Sequence, residues 1–420
     1  MTVVVTQSSR ASVSVSAPGP QGPPGPSGDI PTAFVFVDGP SDLPAAVGGV
    51  HTLADNATYF LTGTVDLNGA RIVAGQNTTI LGGSSENCRL KSTGLTGTAL
   101  ITSAYSLPMR GLTIEADVAL DLDGTGTPTA ALDWFGVNFT DCATVGTIAN
   151  YSNFIATDCA WLNSAGLTFD GTIGTVGFSQ CIFTTPAGGT AINVSATCTL
   201  TRRFRIIYSA FVVLSGQTGI NFSASATVPD EAYILDTVNF AGGGTYTAGV
   251  AGTSDKVRWL SCVGITNTVA VAQMFMKNNA TATDITVQGD RYPMAGTTEF
   301  AALSQRFEHV SADNAVRYTS AIPRRVKAQA SFSVTAPNNN VLGIYIGKCT
   351  SGNGLDPDAD RISESEVYIT ASGTRPDAGF VQALIDINDG DKLYIIVQNQ
   401  TSASDITVVF LNMIVEQAVS

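Results

Sequence analysis

The sequence is short of charged side chains and of the residues that usually cover helices. Only 13% of its 420 residues are charged, against about 25% in an average soluble domain. Lys and Glu, the common residues of solvent-facing helix surfaces, number only 6 and 8. This shortage excludes a large helical protein or a coiled coil. The 42 Gly and the abundant Val, Thr, Ile and Phe favour short strands joined by tight turns.

Other absences exclude partner classes and compartments. A net charge of −13 disfavours nucleic acid, which needs a basic face. No apolar run approaches the roughly 20 residues of a membrane helix, and the N-terminus lacks the basic start of a secretory signal. We therefore expect no membrane insertion, and folding in a reducing cytoplasm. The seven Cys lack metal-binding spacing and are expected to be small buried hydrophobes. No metal and no cofactor is predicted.

Residues 18–30 carry the sharpest local signal. Glycine recurs at every third position among five prolines, at Gly19, Gly22, Gly25 and Gly28. Gly-X-Y repeats with proline form a triple helix, because only Gly fits at the axis of three wound chains. A stiff single-chain linker is the alternative. The repeat predicts a short trimeric stem, and hence a parallel homotrimer, with residues 1–17 as an arm preceding it.

Between residues 31 and 305, short alternating apolar runs are cut by Gly- and Asn-rich turns. A loose repeat, whose period wanders around the twenties, aligns a small residue within each unit, at Cys142, Cys159, Cys181, Ala210, Thr237 and Cys262. Such a period predicts coils of a parallel β-helix, on the order of ten of them, with the small residues stacked inside. The polar residue before each Cys, such as Asp141 or Gln180, is expected to point outward.

The last hundred residues have longer alternating strands and more charge. Six strands separated by turns within residues 324–420 predict a compact antiparallel sandwich. Residues 306–323 are interpreted as a connector between it and the β-helix.

This order of arm, stem, β-helix and sandwich resembles bacteriophage tail fibres, tailspikes and head fibres. DLPAAVGGVHTL (42–53) and ATYFLTG (57–63) resemble the entry into pectin-lyase-like β-helices of phage proteins. GDKLYIIVQN (390–399) and DITVVFLNMIV (405–415) are similar to the last two strands of tumour necrosis factor and complement-head jelly rolls. The resemblance implies an all-β chain, with a right-handed parallel β-helix shaft and a C-terminal antiparallel jelly roll, assembled as a homotrimer.

The resemblance also implies a location on the virion exterior, after assembly in the bacterial cytoplasm. The expected function is that of a structural fibre, whose arm joins a tail or head protein and whose tip binds a bacterial surface polysaccharide or protein receptor. Two alternatives stay open. One is a tailspike depolymerase with an Asp-lined groove on the β-helix, and the other is a capsid head fibre or decoration protein. Whether the chain is an enzyme is left undecided, with a non-enzymatic role favoured.

A few side chains are candidates for a site. Stacked coils could align Asp141 with Asp158 as the two carboxylates of a glycoside hydrolase. Trp134 and Trp161 are possible sugar contacts, although core packing or a trimer interface is the favoured interpretation. Asp356, Asp358 and Asp360 occupy a loop between sandwich strands, and are candidates for contact with a receptor.

Overall fold

The computed structural model describes residues 33–418, apart from 128, 253, 303 and 374. The predicted arm and stem, including Gly19, Gly22, Gly25 and Gly28, lie outside the described residues. Strands dominate the fold. The helical segments among the described residues are three short 3-10 turns, at Pro40–Asp42, Ser311–Asp313 and Ser363–Ser365, and none of them is long or apolar enough to cross a membrane.

Twenty-seven short strands occupy the segment from Ala33 to Leu260. The first nine are β1 (Ala33–Val37), β2 (Val50–Thr52), β3 (Ala57–Leu61), β4 (Thr64–Asp66), β5 (Arg71–Ala74), β6 (Thr79–Gly82), β7 (Arg89–Lys91), β8 (Ala99–Ser103) and β9 (Met109–Arg110). The next nine are β10 (Thr113–Glu115), β11 (Val118–Asp123), β12 (Ala131–Phe135), β13 (Asn138–Thr140), β14 (Thr144–Ala149), β15 (Asn153–Thr157), β16 (Ala160–Leu162), β17 (Leu167–Asp170) and β18 (Thr172–Ser179). The last nine are β19 (Ile182–Thr184), β20 (Thr190–Val194), β21 (Thr199–Ile207), β22 (Ala210–Val212), β23 (Thr218–Phe222), β24 (Tyr233–Asp236), β25 (Asn239–Ala241), β26 (Thr245–Ala248) and β27 (Val257–Leu260).

These strands wind into a parallel β-helix, called the shaft below. Sheet 1 has ten strands, in the order β1-β3-β6-β9-β12-β15-β18-β21-β24-β27. Sheet 2 has eight, from β4 to β25, and sheet 3 has nine, from β2 to β26. After β3 the chain passes from sheet 1 to sheet 2 to sheet 3 and back, one strand of each per coil. The predicted β-helix of about ten coils is therefore confirmed.

An aromatic stack fills the shaft core beneath sheet 2. Its rings come from facing positions of successive strands, at Phe139, Trp161, Phe183, Phe211 and Phe240. Neighbouring ring centroids are 5.5, 4.5, 4.3 and 5.0 Å apart and nearly parallel. Stacking of this kind adds to the free energy gained by burying the rings. The stack explains why each of these coils presents a large apolar residue at this position.

From β9 to β25, the corner between sheets 1 and 2 contains only two residues. The first has a left-handed backbone, as at Asp158 (φ 55°) and Gln180 (φ 57°), and the second is a buried residue such as Cys159 or Cys181. The first residue's N–H donates to the strand of the next coil, so Asp158 N lies 3.0 Å from Ser179 O. The predicted outward polar residue and inward small residue are confirmed here.

The predicted Cys alignment needs correction at three positions. Cys142 lies at the corner between sheets 2 and 3, and Val137 holds the place expected for it. Ser209 and Val238 hold the places assigned to Ala210 and Thr237. Both corners use an outward left-handed residue followed by a buried one, so the sequence alone does not distinguish them. All seven Cys are buried and unpaired, as predicted.

Eleven further strands form the antiparallel sandwich: β28 (Val271–Met276), β29 (Arg291–Pro293), β30 (Glu299–Phe300), β31 (Phe307–Val310), β32 (Ala315–Tyr318), β33 (Arg324–Thr335), β34 (Val341–Cys349), β35 (Val367–Thr370), β36 (Asp377–Ile387), β37 (Lys392–Asn399) and β38 (Thr407–Gln417). One sheet has the order β30-β28-β38-β33-β36, and the other β31-β32-β37-β34-β35 with β29 beside β37. The six long strands predicted from the sequence are all present.

The sandwich begins earlier than the predicted boundaries at residues 305 and 324. Strand β28 pairs along its whole length with β38, from Val271 opposite Glu416 to Met276 opposite Leu411. The predicted connector 306–323 contains β31 and β32, and β32 pairs with β37. Strands β28 to β32 are short and separated by polar turns, so in sequence they resemble further coils. Long-range pairing assigns them to the sandwich.

Candidate functional site

An open cleft of about 430 Å³ lies on the shaft, at the corner where sheet 3 leads into sheet 1. Four successive coils contribute to it, through the connections β11–β12 and β14–β15 and through the first residues of β18 and β21. Its lining is almost entirely neutral and small, and Arg202 is the one charged lining residue: Gly124, Thr125, Gly126, Asn150, Tyr151, Ser152, Asn153, Thr172, Gly174, Thr201 and Arg202. We call this cleft the corner groove.

Asn150 ties together three of the four coils that form the groove. Its backbone is left-handed (φ 61°). Its Nδ2 donates to Asp123 Oδ1 and to Thr125 Oγ1, both at 2.8 Å. Its Oδ1 accepts from Thr172 N at 3.0 Å. A side chain that is satisfied on both sides in this way is held in one orientation, so the groove is preorganised.

Two carboxylates beside the groove are held in their ionised form. Hydrogen bonds from Asn150 and then Thr125 lower the pKa of Asp123. Hydrogen bonds from Thr197 and then Ser195 lower the pKa of Asp170. A general acid for glycoside cleavage needs the opposite shift, a raised pKa that keeps its proton near neutral pH. These two carboxylates are therefore suited to holding the loops around the groove, and not to proton donation.

A bulge in β21 forms the far wall of the groove. Opposite β18, Ile173 pairs with Leu200 and Thr175 pairs with Arg203, so β21 carries one extra residue between them. The extra length falls at Thr201 and Arg202, both of them exposed lining residues. Bulges redirect side chains in this way and are common beside sites. Among the described residues Arg202 makes no ion pair, so its guanidinium is available to a ligand.

The predicted catalytic pair is not formed. Asp158 lies at the corner between sheets 1 and 2, whereas Asp141 lies at the corner between sheets 2 and 3. The Asp141 carboxylate accepts from Asn163 Nδ2 at 2.8 Å, and Asn163 is its counterpart in the next coil. The two aspartates therefore belong to different edges of the shaft and do not face each other across one groove. The predicted alignment placed them together because it assigned Cys142 to the wrong corner.

The two candidate sugar-binding tryptophans lie in the core. Trp134 and Trp161 are both fully buried. Trp161 belongs to the aromatic stack, and the Trp134 ring meets Phe154 edge-on at 4.8 Å. A sugar in solution reaches neither ring. The sugar-contact hypothesis is corrected, and the core interpretation that the sequence favoured is confirmed.

The aspartates predicted at the receptor tip make hydrogen bonds and an ion pair within the sandwich. Asp356 accepts from the backbone N–H groups of Asp358 and Ala359, both at 3.2 Å. Asp360 accepts from Tyr394 OH at 2.8 Å, and Asp358 pairs with Arg291 at 2.6 Å. In the part of the chain that the structure describes, no three Asp, Glu, His or Cys converge as metal ligands. A receptor contact at this loop stays a prediction.

Sequence reasoning missed the corner groove. In the sequence, the run Arg202-Arg203-Phe204-Arg205 alternates from Arg203 to Arg205, which is typical of a solvated strand face or a subunit contact. The expected alternation holds, because Phe204 is buried while Arg203 is exposed. The second consecutive arginine interrupts the alternation at the position of the bulge. This interruption is the signal that sequence reasoning overlooked.

No family model matches this sequence, and no curated protein matches it. Solved structures do match. One is the Acinetobacter phage vB_ApiP_P1 tailspike protein, with TM-score 0.28 and 10% identity, over 92% of this chain and 80% of that chain. Another is the tailspike gp49 from Acinetobacter baumannii bacteriophage Fri1, described as a capsular polysaccharide depolymerase, with TM-score 0.22 and 9% identity, over 88% and 80%.

A third similar structure is Eiger TNF from S. frugiperda, with TM-score 0.26 and 12% identity, over 37% of this chain and 96% of that chain. Phage tailspikes recur among the similar structures. With TM-scores below 0.5, none of these structures describes the chemistry of the corner groove, which depends on this chain's own residues.

Proposed function

We propose that this chain is a fibre or spike subunit of a bacteriophage virion, and that it adheres to bacterial surface polysaccharide through the corner groove. The observation that carries the proposal is Arg202, placed by a bulge and without an ion pair among the described residues, above an open groove of small polar residues on a rigid shaft. The order of parts supports it too. A Gly-X-Y sequence precedes a long β-helix, which ends in a sandwich.

The groove has the size and chemistry for part of a glycan. Its volume falls within the roughly 300–1,000 Å³ of common ligand sites. Asn150, Ser152, Thr172 and Thr201 offer amides and hydroxyls, which suit sugar hydroxyls. Arg202 adds one cation that matches a carboxylate or phosphate in a bidentate manner. We therefore favour an acidic polysaccharide.

The carboxylates beside the groove favour binding without cleavage, because neither is suited to act as a general acid. Asp123 and Asp170 both have lowered pKa values and donor groups already bound. Weak adhesion at one groove becomes strong when many copies act on one particle, because later contacts are intramolecular. A non-enzymatic fibre needs nothing more than this.

The test is to mix the purified full-length chain with capsular polysaccharide and lipopolysaccharide from candidate hosts. Binding is measured by calorimetry, and chain cleavage by release of new reducing ends. We expect binding without release, and at least a fivefold loss of affinity for Arg202→Ala. Arg203→Ala is the matched control, because Arg203 is exposed but does not line the groove; its affinity should stay within twofold.

Three outcomes would overturn parts of this proposal. Release of oligosaccharide would replace the adhesin by a depolymerase. Equal losses for Arg202→Ala and Arg203→Ala would remove the groove as the site. Loss of binding on Asp358→Ala, with Arg202→Ala unaffected, would move the contact to the sandwich loop.

A further inference from the structure

We infer that the outward face of sheet 1 is the surface through which three copies of this chain pack side by side, starting at Phe34, Phe36 and Phe60. The inference is independent of the ligand in the corner groove. It concerns which of the three shaft faces is turned towards the other copies.

Three phenylalanines form an exposed cluster at the beginning of sheet 1. Phe34 is 54% exposed and Phe36 is 65% exposed. Their ring centroids are 5.1 Å apart, and Phe60 lies 6.1 Å from the first and 5.8 Å from the second. A cluster of large rings on a soluble surface is typical of an interaction site, since burying each ring is worth about 2–3 kcal/mol.

The apolar character continues along the sheet. The paired outward positions that follow Phe36 and Phe60 include Leu81 and Phe135, and Ile155 is exposed in the neighbouring row. The charges between them are paired, since Arg110 and Asp133 lie 3.0 Å apart. Ten strands about 4.8 Å apart make a face about 43 Å long, and such a length is sufficient for an interface of ordinary size.

The other two faces differ at the same end of the shaft, and sheet 2 exposes large apolar side chains only farther along, at Leu162, Ile182 and Val212. Sheet 2 presents a charged set there, with Arg89 paired to Glu115 and Lys91 to Asp66. The outward row of sheet 3 is polar over most of its length: Val73, Thr102, Asp121, Thr147, Thr168, Asn193 and Asn221. Arg203 and Arg258 are exposed at the far end of sheet 1, so contact is expected to be tightest in its first half.

The sequence before Ala33 points to further copies of this chain as the occupant of this face. The Gly-X-Y sequence, which lies outside the described residues, has its last repeat glycine at Gly28. The chain from there to Phe34 reaches at most about 20 Å when extended. A triple-helical stem, which the repeat predicts, would bring three first coils close to one axis. The face with unpaired aromatic rings gains most there by turning inward.

Cysteine cross-linking of the full chain tests this inference. The native cysteines are all buried, so an exposed engineered one reports on its own surroundings. Phe36→Cys should form disulfide-linked chains under mild oxidation. The matched control is Ile182→Cys, at a position that is 49% exposed on sheet 2, and it should stay unlinked. By light scattering the wild-type mass should be three times the 43.5 kDa of one chain.

A second, double variant distinguishes a weakened interface from misfolding of the chain. Phe34→Ser with Phe36→Ser should leave the circular dichroism spectrum unchanged and lower the urea concentration at which the trimer dissociates. A wild-type mass of 43.5 kDa, that of a single chain, would overturn the inference. So would a trimer in which the two engineered cysteines cross-link equally. Polysaccharide binding, measured separately, would then still decide the function of the groove.

Discussion

Arg306 Nη1 lies 2.8 Å from Asp255 Oδ1, and this ion pair joins the end of the shaft to the sandwich. The arginine side chain is only 3% exposed. Its remaining donors bind Ser320 Oγ at 2.8 Å, Val257 O at 3.0 Å and Thr268 O at 3.1 Å. One side chain thus satisfies acceptors from both halves of the molecule, and the junction is expected to be rigid.

We predict that Arg306→Leu lowers the free energy of unfolding by about 3 kcal/mol, since removing one partner of a buried pair leaves the other uncompensated. Urea titration followed by circular dichroism measures the change. Arg325→Leu is the control, because its pair with Asp386 is largely exposed and such pairs contribute less than about 1 kcal/mol. Similar losses in the free energy of unfolding for the two variants would contradict the role of Arg306 in stabilising the junction.

At the corner between sheets 1 and 2 the first residue has a left-handed backbone. Replacing a glycine at that position by a residue with a side chain should therefore lower the stability. Gly136 has φ 60°, and a Cβ there would find its nearest atom 3.9 Å away. Gly136→Ala should therefore lose about 1–2 kcal/mol through backbone strain alone. Gly63→Ala also has free space and no positive φ, so it should be neutral or slightly stabilising. Thermal unfolding compares the two variants. Equal shifts of the melting temperature would refute the explanation by backbone strain.

The two buried tryptophans should differ in how they tolerate replacement by Phe. Trp134 Nε1 donates to Leu107 O at 3.3 Å, whereas Trp161 Nε1 is buried without a partner among the described residues. Trp134→Phe loses a hydrogen bond that Trp161→Phe does not, so it should cost about 1 kcal/mol more. Urea midpoints of the two variants give the difference. A larger loss for Trp161→Phe would show that stacking geometry outweighs the hydrogen bond.

Asp170 should make stability depend on pH. Hydrogen bonds from Thr197 and Ser195 lower its pKa below the ordinary value of 3.8. Its stabilising contribution is therefore fully present above that value and is lost as the pH falls through the lower pKa of the folded state. Asp170→Asn should destabilise the protein at pH 7, and the difference from wild type should shrink as the pH falls below the ordinary value.

Asp158→Asn is the control for this titration, since among the described residues the Asp158 carboxylate makes no side-chain hydrogen bond and Asn tolerates the left-handed corner. Melting temperatures at pH 7, 4.5 and 3 give the comparison. A constant difference between Asp170→Asn and wild type across this range would exclude the proposed linkage.

Much of the fold could be predicted because alternation and turn chemistry are local. Two of the six strands predicted within residues 324–420 are found as Arg324–Thr335 and Lys392–Asn399. The strands from Val271 to Tyr318 were misassigned, because a partner such as β38 is far away in the chain and a short polar strand carries no mark of its partner.

The candidate site was less predictable than the fold. Asp141 and Asp158 share the same local pattern, and only the winding of the coils separates them onto different edges. Trp161 and Leu162 alternate across the sheet, so one must point inward, and the preference of the sequence for Trp161 rests on residue type alone. The stacked rings of Phe139 and Phe183 decide it.

By itself the sequence determined that this protein is all-β, that its central part is built of repeated coils and that its last part is a sandwich. These follow from period-two patterns, turn residues and a scarcity of helix formers, each of which acts over a few residues. Only the folded chain shows which corner each coil uses, which residues line the groove and where exposed apolar side chains lie on each face of the shaft. Stacking places residues twenty or more positions apart side by side, and that register depends on the packing of the whole core.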